Sequence, residues 1–351
     1  MGAPSKAMGA RSFGMTPTAM AASRFTGASA IQPEDVDKAT RRRYDGRTGW
    51  QAELLGRQLK GKELAMVDMG VNVRDGWVDV GGVRTHYLAA GEAGSPVLLL
   101  HGGGLDSASL TWRLAIGPLA AQHRVVAPDM PGYGESDRPD VHYSVDYYVG
   151  FLGHLIDALG LERASLVGLS LGGAIALGYA LAAPERVERL VLVDSHGLGE
   201  EIPYGALGYL LVHAPWLNEW SWAWLARNRK LVRRSLEGLV YDRSLVSEAL
   251  VEEAYQLLQR PGVGAAWRAL QRNETIWLRS RTVYVDRLSQ VRAPTLILHG
   301  AGDSLVPVAW AERAQRLIPG ARLAVVPGAK HWLPREKPEE FNRLVGEFLS
   351  S

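Results

Sequence analysis

Gly168-Leu169-Ser170-Leu171-Gly172-Gly173 is the stretch on which the reading of this chain turns. It follows a short apolar run and opens a run of small residues, so a strand is expected to pass directly into a helix with Ser170 at the corner. A serine at so tight a turn sits in strained backbone. The residues two before and two after it must then lack a Cβ to avoid collision. The turn lifts the hydroxyl clear of the sheet, and the helix N-terminus behind it favours negative charge. Ser170 is therefore the candidate nucleophile, set against the plainer reading of a glycine-rich turn with an incidental serine.

Outward from this corner the texture repeats. Short, nearly continuous apolar runs occur at Val97–Leu100, Val125–Ala127, Ser165–Gly168, Leu190–Val193, Thr295–Leu298 and Leu323–Val326. Most are rich in Val and Leu and are closed by Gly, Asp, Pro or His, as strands buried on both faces of a parallel sheet are. Helical stretches at Val145–Leu159, Leu171–Ala182 and Ala309–Leu317 lie between them. The alternation implies an α/β fold with a mostly parallel, doubly wound sheet. A hairpin around Gly81-Gly82 precedes it. The interval 198–288 breaks the rhythm: it reads as helical and holds six of the eleven tryptophans, Trp216, Trp220, Trp222, Trp224, Trp267 and Trp277. A helical cap inserted after the sixth strand, over the sheet's C-terminal edge, is expected there. The core then comprises 76–197 and 289–351, preceded by a disordered tail over 1–33 and a helical extension over 34–75.

A serine hydroxyl needs an adjacent base, and the base needs a third group to orient it. In this architecture the partners follow in the order Ser, Asp, His, each at a strand end. Asp303 follows the strand Thr295–Leu298, and His331 follows Leu323–Val326. Asp194, at the end of Leu190–Val193, is the rival acid, with a strand-end cap as its structural reading. His101-Gly102-Gly103-Gly104 follows the strand Val97–Leu100. A glycine run lets backbone N–H groups approach a tetrahedral oxyanion without side chains intervening. The donors are assigned to Gly103 and Leu171, with Gly102, Leu169 and Trp332 lining the substrate pocket and His101 bracing the loop. The turn-rich segment from Asp129 to Asp137 is read as structural.

Composition narrows the rest. Lys and Arg number 39 against 37 Asp and Glu, a formal charge of +2, and there are no cysteines. Disulfides, thiolate metal sites and a cysteine nucleophile are excluded. No HExxH spacing or Walker A sequence appears, so neither a metal nor a phosphate cofactor is expected. Arg41, Arg42 and Arg43 form the sole run of three consecutive basic residues, without interleaved aromatics, which argues against nucleic acid. No apolar run approaches a membrane span, so stable membrane insertion is not expected. The Leu210–Trp224 stretch is aromatic-rich enough for a lid, but Pro215, Asn218 and Glu219 interrupt it. Cytoplasmic placement is expected, the acid-free first 33 residues leaving organelle import as the other reading.

With these residues in hand, the chain from about Gly76 to Leu349 resembles the α/β-hydrolase fold serine hydrolases. Within them it is most similar to the meta-cleavage-product (carbon–carbon bond) hydrolases, in HGGG at 101–104, in the segment from Tyr241 to Glu248, in His331-Trp332 and in the segment Glu340–Val345. The resemblance implies cofactor-independent cleavage of vinylogous diketone acids by a Ser–Asp–His set. Three departures stand out. Leu169 replaces the family's Asn before the nucleophile, Leu105-Asp106 replaces Pro-Gly, and Ala254 stands where the family places a cap arginine that holds the substrate carboxylate. Arg260 or Arg268 could reach inward instead. These departures favour a carboxylesterase acting on small or medium apolar esters or lactones through an acyl-enzyme on Ser170. The alternative is a carbon–carbon hydrolase, and a ligand receptor on the same fold is the non-enzymatic reading. The implied partner is a small-molecule acyl substrate, with a homodimer compatible with the sequence.

Overall fold

A computed structural model describes residues 72–202 and 205–351. The tail expected over 1–33 and the extension expected over 34–75 lie outside those residues up to position 71. Arg74 and Asp75 already belong to the first strand, which corrects the boundary placed at Gly76. Strands β1 (Arg74–Val80) and β2 (Val83–Ala90) form the expected hairpin around Gly81-Gly82. β3 (Pro96–Leu100), α1 (Ala108–Ala120), β4 (Arg124–Pro128), α2 (Val145–Ala158), β5 (Ala164–Leu169), α3 (Leu171–Ala182) and β6 (Val187–Val193) follow. The sheet resumes with β9 (Thr295–Gly300), α9 (Val308–Leu317) and β10 (Arg322–Val326), and the chain ends in α10 (Leu333–Glu336) and α11 (Pro338–Ser350).

The eight-stranded sheet runs β1-β2-β4-β3-β5-β6-β9-β10. β1, β2 and β4 pair antiparallel in turn, and every other pairing is parallel. The apolar strands are buried because both faces are covered. Along β3, Leu98 and Leu100 join one core with α2, α3 and α9, while Val97 and Leu99 join the other with α1 and α11. That alternation is the period-2 geometry of a strand serving two cores. Caps set where helices begin: the Ser107 and Ser144 hydroxyls accept from the Leu110 and Tyr147 amides. α1 is not among the stretches read as helical from the sequence, and Gly117 and Pro118 lie in its last turn.

Between β6 and β9 lie α4 (Gly205–His213), α5 (Pro215–Leu225), α6 (Arg229–Leu239), α7 (Glu248–Leu258) and α8 (Ala265–Glu274). A two-residue hairpin, β7 (Thr275–Ile276) and β8 (Arg279–Ser280), follows them. Val232, Leu236, Leu250 and Leu257 bury this segment's inner face against the α1/α11 core. Among the described residues no helix is long and apolar enough to cross a membrane.

Candidate active site

Ser170 occupies the corner between β5 and α3 with φ 53° and ψ −114°. Both flanking glycines are required by contact. A Cβ on Gly168 would lie 2.2 Å from the Gly172 carbonyl oxygen, and one on Gly172 would lie 2.2 Å from the Leu100 carbonyl oxygen. The strain is held by the backbone around it: Ser170 N–H donates to Val193 O at 2.9 Å, and His196 N–H donates to Ser170 O at 3.1 Å. Serine at a helix start ordinarily caps an amide of the first turn. At this backbone geometry the Ser170 side chain makes no cap bond, so its hydroxyl is uncommitted to the helix.

Asp303 and His331 come from the loops after β9 and β10, two strands that run side by side. His331 Nδ1 lies 2.7 Å from Asp303 Oδ2. The other Asp303 oxygen accepts from Leu305 N–H at 2.8 Å and Val306 N–H at 3.1 Å. Burial works against the Asp303 charge, but His331 and these two amides outweigh it and hold the carboxyl below its ordinary value. The acceptor is therefore anionic, and the imidazole carries its proton on Nδ1. The His331 loop is secured from both sides. The buried Glu336 carboxylate accepts from Lys330 N–H at 2.5 Å and from Tyr241 N–H, tying that loop to the end of α6.

Asp194, the rival acid, is fully buried on the neighbouring strand end with φ 44°. Its Oδ1 accepts from Gly300 N–H at 2.8 Å and stands 3.7 Å from His299 Nδ1. Burial first, and then the Asp303 charge, push its carboxyl well above the ordinary range. Burial thus opposes a charge on Asp194, and Asp303 is the acid that reaches His331. Asp194, His299 and Asp303 bring their polar atoms within 4.8 Å of one another. Their positions match a hydrogen-bonded support better than a metal centre. Asp303 is committed to His331 and two amides, and His299 Nε2–H donates to Val306 O at 3.0 Å.

The glycine loop is built by its neighbours. Gly102 N–H donates to Asp106 Oδ2 at 2.8 Å, so Gly103 carries the next N–H along the loop. His101 braces the loop as expected: Nδ1–H donates to Gly102 O at 2.8 Å and Nε2 accepts from Met130 N–H at 3.1 Å. A Cβ on Gly102 would lie 3.6 Å from Ser170 Cβ and 3.7 Å from Leu169 Cδ2, which brings those three residues together. A Cβ on Gly103 would lie 2.1 Å from the Trp267 ring, so α8 lies against this loop. Leu171, the first residue of α3, is buried behind it.

Several residues at the site were missed. Asp106 also accepts from the Thr111 hydroxyl at 2.8 Å, and that hydroxyl accepts from Trp332 Nε1–H at 2.9 Å. Trp332, expected to line the pocket, is therefore buried with its indole N–H committed to Thr111. His196 lies among Ser170, Asp303 and His331; burial, followed by the His331 charge, pushes it down to about 4. The Ser-His pair after Asp194 could have signalled it. Ala254 is fully buried, Arg260 pairs with Glu135, and Arg268 lies over the Trp222 ring at 5.6 Å.

The family model described as "alpha/beta hydrolase fold" matches residues 95–338. The chain is 36% identical over 274 residues to the 2-hydroxy-6-oxo-2,4-heptadienoate hydrolase of Pseudomonas putida strain F1, covering 77% of this chain and 94% of the relative. It is 36% identical over 278 residues to the 2-hydroxymuconate semialdehyde hydrolase of Pseudomonas sp. strain CF600, covering 77% and 91%. The solved meta-cleavage product hydrolase of Pseudomonas fluorescens IP01 superposes with a TM-score of 0.68 at 34% identity, over 78% of this chain and 97% of that one.

These relatives correct the carboxylesterase reading. The compounds in their names are dienoates and semialdehydes without an ester linkage, so hydrolysis falls on a carbon–carbon bond. Sequence reasoning went astray for a physical reason. A nucleophile, a base and an oxyanion hole serve attack on any carbonyl, whether the leaving group is oxygen or carbon. The departures at Leu169, Ala254 and Leu105-Asp106 are local, while the scaffold around them is shared with those hydrolases.

Proposed function

The chain belongs to the alpha/beta hydrolase fold family, and from that premise we propose that it is a cofactor-independent carbon–carbon bond hydrolase of the meta-cleavage-product type. The observation that carries this reading is the similarity to hydrolases of an oxo-dienoate and of a muconate semialdehyde along more than nine-tenths of their length. The His331–Asp303 pair and the strained Ser170 supply the machinery such a reaction needs.

A carbon leaving group departs only when its electron pair can delocalise into a neighbouring carbonyl. The dienol substrate must therefore first become the diketone, by moving one proton from oxygen to carbon. His331 Nε2 is the group assigned to move it. Ser170 Oγ then adds to the ketone carbonyl as His331 takes its proton, and Asp303 stabilises the resulting imidazolium. The Gly103 and Leu171 N–H groups receive the oxyanion. Collapse breaks the carbon–carbon bond and leaves an acyl group on Ser170. The departing enolate takes the proton back, and water releases the acid. Residues 198–288 act as a cap in this scheme: Trp267 against Gly103 narrows the way in and excludes water.

The test is to mix the full chain with 2-hydroxy-6-oxohepta-2,4-dienoate and follow loss of the dienoate absorbance together with release of acetate. One acetate per substrate consumed is expected, with Ser170→Ala abolishing turnover. A wild type inert toward this compound and toward 2-hydroxymuconate semialdehyde overturns the reading.

A further inference from the structure

The outer face of the helical segment is unusual in what it shows to solvent. Along α5, Trp216, Trp220 and Trp224 recur every four residues and are 73%, 60% and 50% exposed, with the last two rings stacked at 5.6 Å. Inward-facing Leu217, Asn218 and Trp222 already seat the helix, so the outer tryptophans are not what holds it down. α4 packs beside it and exposes Leu207 and Leu210, and Trp277, at the β7–β8 turn, sits edge-on to Tyr209 at 5.0 Å. Exposed apolar surface of this extent marks a contact with something else.

Charge says what that something is. Residues 205–226 carry one charged side chain, Glu219, whose charge Arg268 feels. The next eight residues, 227–234, carry Arg227, Arg229, Lys230, Arg233 and Arg234 and no acid. Arg229 pairs with Glu252, and Arg233 pairs with Glu248. Arg227, Lys230 and Arg234 are exposed and, among the described residues, make no ion pair. Arg227 lies in the turn directly after α5, and Lys230 and Arg234 follow on α6, so the cationic run begins where the tryptophan-bearing helix ends. A second copy of this face would offer the flank a single acid in return. A negatively charged lipid surface offers many, and tryptophan is the side chain suited to the boundary between headgroups and acyl chains.

We propose that this face docks on the surface of a bilayer containing anionic lipid, with Trp216, Trp220 and Trp224 at the interface and Arg227, Lys230 and Arg234 against the headgroups. α4 packs on α8, which carries Trp267 against Gly103, so a docked chain holds its candidate active site close to the lipid.

The test is co-sedimentation of the full chain with vesicles of phosphatidylcholine alone and of phosphatidylcholine mixed with phosphatidylglycerol, with tryptophan emission recorded alongside. Binding to the mixed vesicles is expected, with a blue shift and a loss of binding as salt rises. A combined Arg227→Gln, Lys230→Gln, Arg234→Gln variant is expected to bind on the order of a hundredfold more weakly. Combined replacement of Trp216, Trp220 and Trp224 by Ala should remove the blue shift. All three tryptophans are exposed, so an unchanged thermal midpoint serves as the folding control. No binding to mixed vesicles, or binding that neither variant alters, overturns the proposal. So does a dimer in sedimentation equilibrium that Trp220→Glu dissociates, which would assign the face to a second copy. Tryptophans in the lipid-free chain that iodide cannot quench would assign it to residues 1–71.

Discussion

Trp332 donates its indole N–H to the Thr111 hydroxyl at 2.9 Å, and Thr111 donates in turn to Asp106, which holds Gly102 N–H. The loop carrying His331 is thereby linked through α1 to the glycine loop. Thr111→Val removes both bonds and leaves a buried indole N–H unpaired. That is expected to cost about 1–3 kcal/mol in urea unfolding. Turnover should fall while KM changes little, and Thr111→Ser should restore both. A fully active Thr111→Val enzyme would show that the link does no positioning.

The two aspartates should respond oppositely to the same replacement. Asp303→Asn removes the charge that orients His331 and stabilises its cation, and turnover should drop by roughly 10⁴-fold. Burial opposes a charge on Asp194, and Asp303 is the acid bonded to His331, so Asp194→Asn keeps the shape of a side chain outside that pair. Its turnover is expected to stay within a few-fold of wild type. A larger loss in Asp194→Asn than in Asp303→Asn would reverse their roles.

Gly103 and Trp267 are coupled by contact. Gly103→Ala pushes a methyl into the Trp267 ring, so the ring and the loop must part, displacing the N–H proposed as an oxyanion donor. Turnover should fall by roughly 10²-fold, the usual effect of losing one donor. Trp267→Ala in the same chain makes room and should recover part of it. Equal losses in the single and double variants would refute the coupling. Gly172→Ala has no such remedy, since backbone of Leu100 and His101 stands in the way, and it should cost about 1–3 kcal/mol or more.

Acid should weaken the fold in two separate windows. Burial, then the His331 charge, lower His196 from 6.5 to about 4. The unfolded chain takes up this proton first as pH falls. The contribution is therefore complete above 6.5 and is lost between there and about 4. Burial opposes the Asp303 charge, but His331 holds the carboxyl below 3.8, so its contribution is complete above that value and lost beneath it. His196→Asn should flatten the pH dependence of the urea midpoint between about 4 and 6.5, and an unaltered slope there would contradict the assignment.

Much of this molecule was legible in one dimension because its signals are local. Apolar runs of four or five residues mark strands buried on two faces, and the glycines around Ser170 mark a turn that tolerates no Cβ. Asp303 and His331 could be paired from their order and their places at strand ends, and the structure sets them 2.7 Å apart. Parallel strands put the loops that follow them on one edge, whatever lies between them.

What only the tertiary structure decided is which groups meet and which carry charge. Asp194 and Asp303 read alike as strand-end acids. Both carboxyls are buried, and what separates them is the partners they meet, His331 and two amides for Asp303 against one amide for Asp194, which their neighbours along the chain do not show. The route from Trp332 through Thr111 to Asp106 spans residues more than two hundred positions apart. Glu336 and His196 likewise owe their places to long-range packing. Local sequence dictates backbone preference and burial pattern, while hydrogen-bond partners and proton affinities depend on the dielectric and the neighbours that folding brings together.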